Sequence, residues 1–359
     1  MKNQFSIVLP SFNEINSLKS LIPEIIQEDS GQLKRIIVVD DNSKDGTAEY
    51  IKTNKFAVDV ICINRLDREG LSSAVIEGIM ISDTYYVAVM DADGQHDPKD
   101  IFLMFKKAIA DDLDLVIGSR FKNIQSLDNH KGIRHYLSKY GNFLANLFIN
   151  RVTSDPMTGM FLFKRSLFID QAHSIKPMGF KILLDFMFNI RNKIIKYSEH
   201  QINFRSRKEG DSKIGLDIVF SFIDQILNKL SFGIYPEKLS AYLFVGILGI
   251  IVNYSILYSS HLIFNYEYKF SQILAVIFSM VFNYHLHNMI TFSKKTKKGI
   301  NYILGLLAFM AINSIGFMAN INIAFYLYDN NSAWWLASLV GIIAFTLISF
   351  LFSRFSIWR

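Results

Sequence analysis

Apolar residues form short, regularly spaced runs in the first half of the chain and long unbroken segments in the second half. The short runs are rich in Val, Ile and aromatic residues and predict strands at 5–9, 35–39, 58–63, 85–90 and 113–117. Amphipathic stretches between them predict helices at 14–27, 46–53, 71–81 and 98–110. This alternation predicts an α/β fold with a Rossmann-like, doubly wound, mostly parallel sheet that binds ligands at the carboxyl ends of its strands.

The second half contains four segments without any Asp, Glu, Lys or Arg, at 239–264, 270–292, 300–328 and 333–353. Each reaches the roughly 20 residues that a helix needs to cross a hydrocarbon core of about 30 Å. The pattern therefore predicts an all-α transmembrane domain of four helices.

Lysines are concentrated in the link at 293–298, and Arg354 and Arg359 follow the last apolar segment. The positive-inside rule then predicts a multi-pass protein of the cell (inner) membrane with the first half and both termini in the cytoplasm. Because a strand pattern begins at Phe5, we expect no signal peptide before it.

Charge and cysteine content argue against a nucleic-acid-binding protein and against a disulfide-stabilised one. Of 38 Lys and Arg and 32 Asp and Glu, seven basic and two acidic residues follow position 238, so the first half is almost neutral. A neutral domain does not favour nucleic acid as a partner. The single cysteine, Cys62, excludes a disulfide framework and indicates a reducing compartment.

These patterns predict a catalytic domain at 1–214, an interfacial helix region at 215–236 and the membrane domain at 237–359. Polar residues spaced by three and four form a stripe on an otherwise apolar helix in the middle region, which predicts that this helix lies in the membrane interface. The alternative is a packed helix of the soluble domain. The residues of the stripe are Asp217, Ser221, Asp224, Gln225, Asn228 and Ser231.

The strand that ends at Met90 leads into Asp91-Ala-Asp-Gly-Gln-His96. Two carboxylates and an amide at a strand end are hard oxygen ligands, which suit Mg²⁺ or Mn²⁺ bridging to substrate phosphates. The alternative is an Asx turn that caps the following helix, a role that Asp97 could fill alone. An EF-hand loop is excluded because Gly94 stands at loop position four instead of six.

The second predicted strand ends in Val39-Asp-Asp-Asn-Ser43, where Asp41 could hold a ribose or a base edge. Helix capping is an equally good interpretation of Ser43 and Asp45. No G-x-G-x-x-G follows any predicted strand, so the dinucleotide-binding fingerprint is absent.

Basic side chains are a third set of candidates. Scattered arginines are usually solvated surface, but arginine in a Gly- and Ser-containing loop just before a membrane helix is well suited to phosphate capture. The residues of this set are Arg120, Arg134, Arg207 and Lys213.

Seven segments occur in the order that is typical of one family. They are Ile7-Val-Leu-Pro-Ser-Phe-Asn-Glu14, Ile36-Ile-Val-Val-Asp-Asp-Asn-Ser-Lys-Asp-Gly-Thr47, Gly70-Leu-Ser-Ser-Ala74, Met90-Asp-Ala-Asp-Gly-Gln-His96, Ile117-Gly-Ser-Arg120, Asp155-Pro-Met-Thr-Gly159 and the run at 204–213. With them, essentially the whole chain resembles the polyprenyl-phosphate glycosyltransferases of family 2, which have the GT-A fold. It is similar to the dolichol-phosphate mannose synthases that carry a fused GtrA-like membrane domain.

The resemblance implies roles for individual residues. Substrate-binding residues would be Pro10, Phe12, Glu14, Val39, Asp41, Asp91, Ala92, Asp93, Arg120, Arg134, Arg207 and Lys213. Asp91, Asp93 and Gln95 would hold the metal, and Asp91, Asp93, Arg120 and Arg207 would be catalytic. The chain departs from the family at Phe12, where Tyr is common, and at Asp97, which follows His96 where Pro often stands.

The resemblance also implies the reaction. We expect transfer of one sugar, mannose from GDP-mannose, to a dolichyl or undecaprenyl phosphate by inverting displacement with Mg²⁺ or Mn²⁺ as cofactor. The partners would be the nucleotide-sugar donor, the lipid acceptor and the bilayer, while a homo-oligomer is left open. Glucose transfer from UDP-glucose is the alternative reaction, and flipping of the lipid-linked sugar is a less favoured one.

Overall fold

The structure is a computed structural model, and it describes residues 3–66, 70–121, 143, 145–146, 149, 153–171, 182–203, 205, 216–231, 234–236 and 238–343. Its contacts divide the chain into two compact units, Met1–Ser212 and Lys213–Arg359. The first unit holds the predicted α/β domain and the second holds the apolar segments.

One mixed sheet of seven strands forms the frame of the first unit, in the order β3-β2-β1-β4-β6-β5-β7. The neighbours β3, β2, β1 and β4 are parallel, β6 runs antiparallel to both β4 and β5, and β7 is parallel to β5. Six carboxyl ends therefore lie along one edge, where β6 begins. The strands are β1 Phe5–Ser11, β2 Leu33–Asp40, β3 Asp59–Asn64, β4 Tyr86–Val89, β5 Leu115–Ser119, β6 Phe161–Lys164 and β7 Tyr197–Gln201.

Helices connect the strands, which confirms the predicted α/β class. They are α1 Ile15–Glu28, α2 Thr47–Thr53, α3 Leu71–Ile81, α4 Pro98–Ala110, α5 Arg165–Ile169 and α6 Ile182–Asn189. The first five strands and four helices agree with the sequence pattern to within about two residues at each end. The strands β6 and β7 were not predicted.

An aromatic cluster fixes α4 against the sheet. The ring of Phe5 on β1 stacks on Phe105 with 4.4 Å between centroids and meets Phe102 edge-on at 5.4 Å. Tyr86 on β4 meets Phe105 edge-on at 5.8 Å. All four side chains are buried, whereas Leu103 on the opposite face of α4 is 39% exposed. Burial of this face holds the loop that precedes α4 at the carboxyl end of β4.

The second unit consists of apolar helices: α7 Leu216–Leu230, α8 Leu239–Tyr258, α9 Tyr268–Leu286, α10 Ile300–Asp329 and α11 Trp334–Ile343. Single π-helical turns extend α8 to Ile263 and α9 to Thr291. Within the described residues, two helices, Leu239–Ile263 and Tyr268–Thr291, are long and apolar enough to span a membrane. A third candidate is Ile300–Ser314 with Gly316–Asp329, bent by 52°.

The fourth predicted span begins as α11, and its residues after 343 lie outside the described part of the chain. Its length therefore stays a prediction.

The polar stripe of α7 bonds to the start of α8. Asp224 accepts hydrogen bonds from the backbone N–H groups of Lys238 (2.6 Å) and Ser240 (2.9 Å), and so caps the first candidate span. Asn228 donates to the Tyr235 carbonyl (2.6 Å), and the Tyr235 N–H donates to Ser231 (2.8 Å). These three residues satisfy backbone groups of the protein, while Ile223 on the other side of α7 is exposed.

The aromatic cluster generates a stability prediction. We expect Phe105→Ala to destabilise the first unit by about 3–5 kcal/mol, because it leaves a cavity beside Phe5 and Tyr86. For a unit of this size, the unfolding midpoint should fall by about 6–20 °C.

Cys62 on β3 provides the readout. It is the one cysteine of the sequence, and burial raises the pKa of its thiol to about 11, with Asp40 adding to the shift. A thiol-reactive dye should therefore label it quickly only after the sheet unfolds. Leu103→Ala on the same helix is the control, and equal midpoints for the two variants would contradict this account of the core.

Candidate active site

The chemistry-bearing residues lie at the edge where the parallel strands end. Asp41 follows β2, Asp91 follows Met90 at the end of β4, and Arg120 follows β5. Asp155 and Gly159 lie in the segment that leads into β6. Since β6 runs antiparallel between β4 and β5, this segment lies between the loops that carry Asp91 and Arg120.

Arg120 is held by a buried carboxylate. Asp155 is fully buried and accepts two hydrogen bonds from the guanidinium, from Nε at 2.6 Å and Nη2 at 2.9 Å. Burial lowers the pKa of Arg120. The hydrogen bonds and charge of Asp155, together with the charge of Asp91, raise this pKa by more than burial lowers it, so the net shift is upward. A bidentate pair of this kind fixes the plane of the guanidinium as well as its charge.

Gly159 packs against the Asp91 carboxylate. A Cβ atom at this position would overlap the carboxylate oxygens, so only glycine leaves room for the side chain of Asp91 as it stands. His96, which is almost fully buried, places Nε2 at 3.6 Å from Asp91 Oδ2. These two contacts limit the positions that the Asp91 carboxylate can take.

Asp93 and Gln95 lie in a tight turn that pairs with the segment after β7. The Gln95 N–H donates to Asp93 Oδ1 (3.1 Å), and Gly94 between them has a φ of 73°. The backbone N–H of Arg205 donates to the Gln95 carbonyl (2.7 Å), and Gln95 Nε2 donates to the Arg205 carbonyl (3.3 Å). Arg205 also forms ion pairs with Glu24 (2.7 Å) and Asp97 (3.1 Å).

Helix capping in this loop is done by Asp97. Its Oδ1 accepts from the Lys99 N–H (3.1 Å) at the start of α4, where Pro98 is the first helical residue. Asp97 therefore supplies the cap, while Asp93 forms an Asx turn through the Gln95 N–H, which agrees in part with the alternative interpretation of this loop.

An open cleft lies beside this turn. Asn16, Ser17, Ser20, Leu21, Glu24, Asp93, Gly94 and Arg205 line it. Six of these eight residues have polar or charged side chains, which can bind a hydrophilic ligand.

Asp41 forms an ion pair with Arg65, which was not predicted as a site residue. Arg65, just past β3, donates to Asp41 Oδ1 (2.9 Å), and the Gly70 N–H donates to Oδ2 (2.9 Å). Arg65 also contacts Ser73 (2.9 Å) and Glu77 (3.3 Å), and both it and Asp41 are buried. Any ligand at Asp41 would therefore meet a carboxylate whose direction is already fixed.

The neighbouring loop is shaped by capping bonds. Asp45 accepts from the N–H groups of Ile15 and Thr47, both at 3.0 Å, at the starts of α1 and α2. Burial raises the pKa of Asp45, but hydrogen bonds from Thr47 and Ile15 lower it by more, so the net shift is downward. Ser43 accepts from the Asn13 N–H (2.8 Å), which lies before α1, so Asp45 bonds to the first residues of two helices and Ser43 does not.

The other predicted substrate-binding residues lie on β1 and β2, in the link from β1 to α1, and in the loop at 91–96. Pro10 and Val39 are neighbours in the β1–β2 register, and Val39 packs beneath Gly78 of α3. Glu14 accepts from the Ser17 hydroxyl (2.9 Å). Phe12 is partly buried and Ala92 is buried.

Three predicted residues lie outside the described part of the chain: Arg134, Arg207 and Lys213. Their roles stay predictions.

The donor set of the loop fits a hard divalent cation. Asp91, Asp93 and Gln95 offer carboxylate and amide oxygens, and such a cation keeps several water or phosphate oxygens as its other ligands. Within the described ranges, no group of three or more His, Cys, Asp or Glu side chains forms a complete metal cage. A site of this kind would depend on the substrate for part of its coordination.

Four side chains of the site were not predicted as functional residues from the sequence: Arg65, Asp155, Glu199 and Arg205. Arg205 lies in the basic run at 204–213, and Asp155 is the first residue of the family segment Asp155–Gly159. The sequence therefore contained a signal for both residues. Glu199 had none, because β7 itself was not predicted.

Two parts of the chain match known families. Residues 6–171 match Glycosyl transferase family 2, and residues 241–358 match the GtrA/DPMS transmembrane domain.

Relatives of similar length exist. The chain is 28% identical to a dolichol-phosphate mannosyltransferase of Pyrococcus furiosus over 98% of this chain and 99% of the relative. It is 30% identical to one of Mycosarcoma maydis, over 64% of this chain and 81% of the relative. The crystal structure of glucosyl-3-phosphoglycerate synthase from Mycobacterium tuberculosis with Mn²⁺, uridine diphosphate and phosphoglyceric acid is 17% identical, with a TM-score of 0.49 over 65% of this chain and 80% of that one.

The contact between Gly159 and Asp91 generates a test of the cation site. We expect Gly159→Ala to weaken Mn²⁺ binding at least about tenfold, because the added methyl group displaces the Asp91 carboxylate. Electron paramagnetic resonance of free Mn²⁺, titrated with the full chain and a nucleoside diphosphate, measures the affinity.

The control is Gly246→Ala, where a Cβ meets nothing within 4 Å. Unchanged Mn²⁺ affinity in Gly159→Ala would mean that Asp91 is not a ligand.

Proposed function

The chain belongs to the dolichol-phosphate mannosyltransferase family, and we propose that it transfers a single mannose from GDP-mannose to a polyprenyl phosphate at the cytoplasmic face of the membrane. One observation carries the proposal: the carboxylates of the Asp91–Asp93 loop and the pair of Arg120 with the buried Asp155 occupy one edge of the sheet. The names of the relatives support mannose as the sugar and a dolichol-type phosphate as the acceptor.

The acceptor determines what chemistry the protein must supply. A lipid phosphate is already an anionic nucleophile, so the reaction needs no strong general base. It needs two anions held in line, with the repulsion between them compensated. Direct displacement with inversion at the anomeric carbon meets this requirement.

Arg120 is the described residue best placed for that compensation. Its guanidinium stays charged, and Asp155 fixes its plane, so the direction from which a phosphate can approach the guanidinium is defined. We assign Arg134, Arg207 and Lys213 to the same task on the donor and acceptor phosphates.

The cation site would complete the charge balance on the donor side. Asp91, Asp93 and Gln95 would hold Mg²⁺ or Mn²⁺, and the cation would neutralise charge on the departing nucleoside diphosphate. The protein contributes the contacts with Gly159 and His96, which limit the positions of the Asp91 carboxylate.

The lipid acceptor accounts for the second unit. The apolar spans anchor the chain in the bilayer, and we propose that α7 lies in the interface with Ile223 towards lipid. The lysines at 293–298 and the positive-inside rule support a cytoplasmic location for this link and both termini.

Product formation tests the proposed donor and acceptor. Purified full-length protein is given a polyprenyl phosphate, Mg²⁺ or Mn²⁺, and labelled GDP- and UDP-sugars, and label entering the lipid phase is measured. We expect label from GDP-mannose. Label from UDP-glucose alone would refute mannose transfer and support glucose transfer by the same chemistry, and no label from any donor beside an active control enzyme would refute the proposal.

The metal loop generates a second prediction. We expect Asp93→Ala to lower transfer at least about 100-fold, because the loop loses a cation ligand. Asp111→Ala, an exposed acid at the end of α4, is the control and should keep wild-type rates. Wild-type turnover in Asp93→Ala would show that Asp93 has no part in the reaction.

A further inference from the structure

A carboxylate on β7 is directed at the segment that holds Arg120. Glu199 is partly buried, and its Oε1 accepts from the Thr153 hydroxyl (2.5 Å) and the Ser154 N–H (2.6 Å). Its Oε2 accepts from the Ser154 hydroxyl (2.8 Å). One carboxylate therefore receives three hydrogen bonds from two consecutive residues.

These two residues connect Glu199 to both sides of Arg120. The Asp155 N–H donates to the Thr153 hydroxyl (3.4 Å), so the oxygen that bonds to Glu199 also bonds to the backbone of the residue that grips Arg120. The Ser154 hydroxyl contacts the hydroxyl of Ser119, the residue directly before Arg120. Ser119 in turn accepts from the Phe121 N–H (3.1 Å), directly after Arg120.

Without Glu199, these groups would have to find new partners. The Thr153 and Ser154 side chains are short and would turn towards other acceptors. Asn146 holds the Thr153 backbone at both N–H (3.2 Å) and C=O (2.7 Å), so the backbone that would follow is that of Ser154 and Asp155. Because Asp155 is fully buried, a small shift of its backbone changes the direction in which it holds the guanidinium. A displacement of about 1 Å at a catalytic group can cost about 100-fold in rate.

We propose that Glu199 is a positioning residue for sugar transfer: through Thr153 and Ser154 it sets the orientation of the Arg120–Asp155 pair towards the substrate phosphate. The inference rests on the proposed function of Arg120. Glu199 itself does not touch the substrate, and its effect passes through Arg120.

A double-mutant cycle tests this route. We expect Glu199→Ala to lower the turnover of labelled donor at least about tenfold in the wild-type background. In an Arg120→Ala background, where there is no guanidinium to orient, Glu199→Ala should lower the residual turnover less than about twofold. A general loss of packing would lower turnover by the same factor in both backgrounds.

The conservative variant Glu199→Gln adds a second readout. Its amide oxygen can still accept from Thr153 and from the Ser154 N–H, and its amide N–H₂ can donate to the Ser154 hydroxyl. Turnover should therefore return to within about threefold of wild type. An Ala-like rate in Glu199→Gln would overturn the proposal, because it would show that the charge of Glu199 acts on the reaction directly.

Asp114→Ala is the matched control. Asp114 joins the same two strands at their other end, where it accepts from the Lys196 N–H (2.8 Å) and pairs with Lys164 (2.9 Å). It should cost stability, measured by Cys62 labelling, and change turnover less than about twofold. A tenfold loss of turnover in Asp114→Ala would show that any loosening of β5 and β7 has this effect, and would overturn the assignment to Glu199.

Failure of the proposed function is distinguishable from failure of this inference. If the wild type transfers no sugar, the proposed function fails, and a structure of Glu199→Ala tests the positioning separately. Arg120 should then point in a new direction with Asp155 displaced. An Arg120–Asp155 pair unchanged in that structure, or equal losses in both backgrounds of the cycle, would overturn the positioning role.

Discussion

The segment at 153–159 fixes the geometry on which the rest of the site depends. Its first part carries Asp155, the buried partner of Arg120, and its last residue, Gly159, packs on Asp91. The segment enters the antiparallel strand between β4 and β5, so it cannot move without disturbing the centre of the sheet. One short stretch therefore holds the acidic and the basic side of the site in a constant relation, which charge compensation between two anions requires.

The sequence predicts the parallel part of the sheet well, because β1 to β5 and α1 to α4 have strong apolar periodicity. It does not predict β6, which is four residues long, or β7, whose Tyr-Ser-Glu-His-Gln lacks an apolar run. The placement of Asp91 follows from its position after a strand. The pairs Arg120–Asp155 and Asp41–Arg65 join residues far apart in the chain, and their contacts depend on strand order, which periodicity does not encode.

The two units solve different physical problems. In the first, ionised side chains at the sheet edge bond to one another, so their directions are set before a ligand arrives. In the second, several polar side chains bond to groups of the same unit: Asp224 caps the first candidate span, and Gln272 bonds to Asn320 (3.1 Å) and Ser338 (3.3 Å) within the helices. A hydrophilic donor and a lipid acceptor need both environments in one chain.

The mass of the lipid product tests the central claim most directly, that the phosphate of the lipid itself displaces the nucleoside diphosphate. Mass spectrometry of the lipid phase after turnover should show a polyprenyl phosphate with one added hexose and a single phosphorus atom. A product with two phosphorus atoms would mean that a sugar phosphate is transferred, and a ladder of hexoses would mean repeated addition. Either result would contradict direct displacement of one sugar at the edge of this sheet.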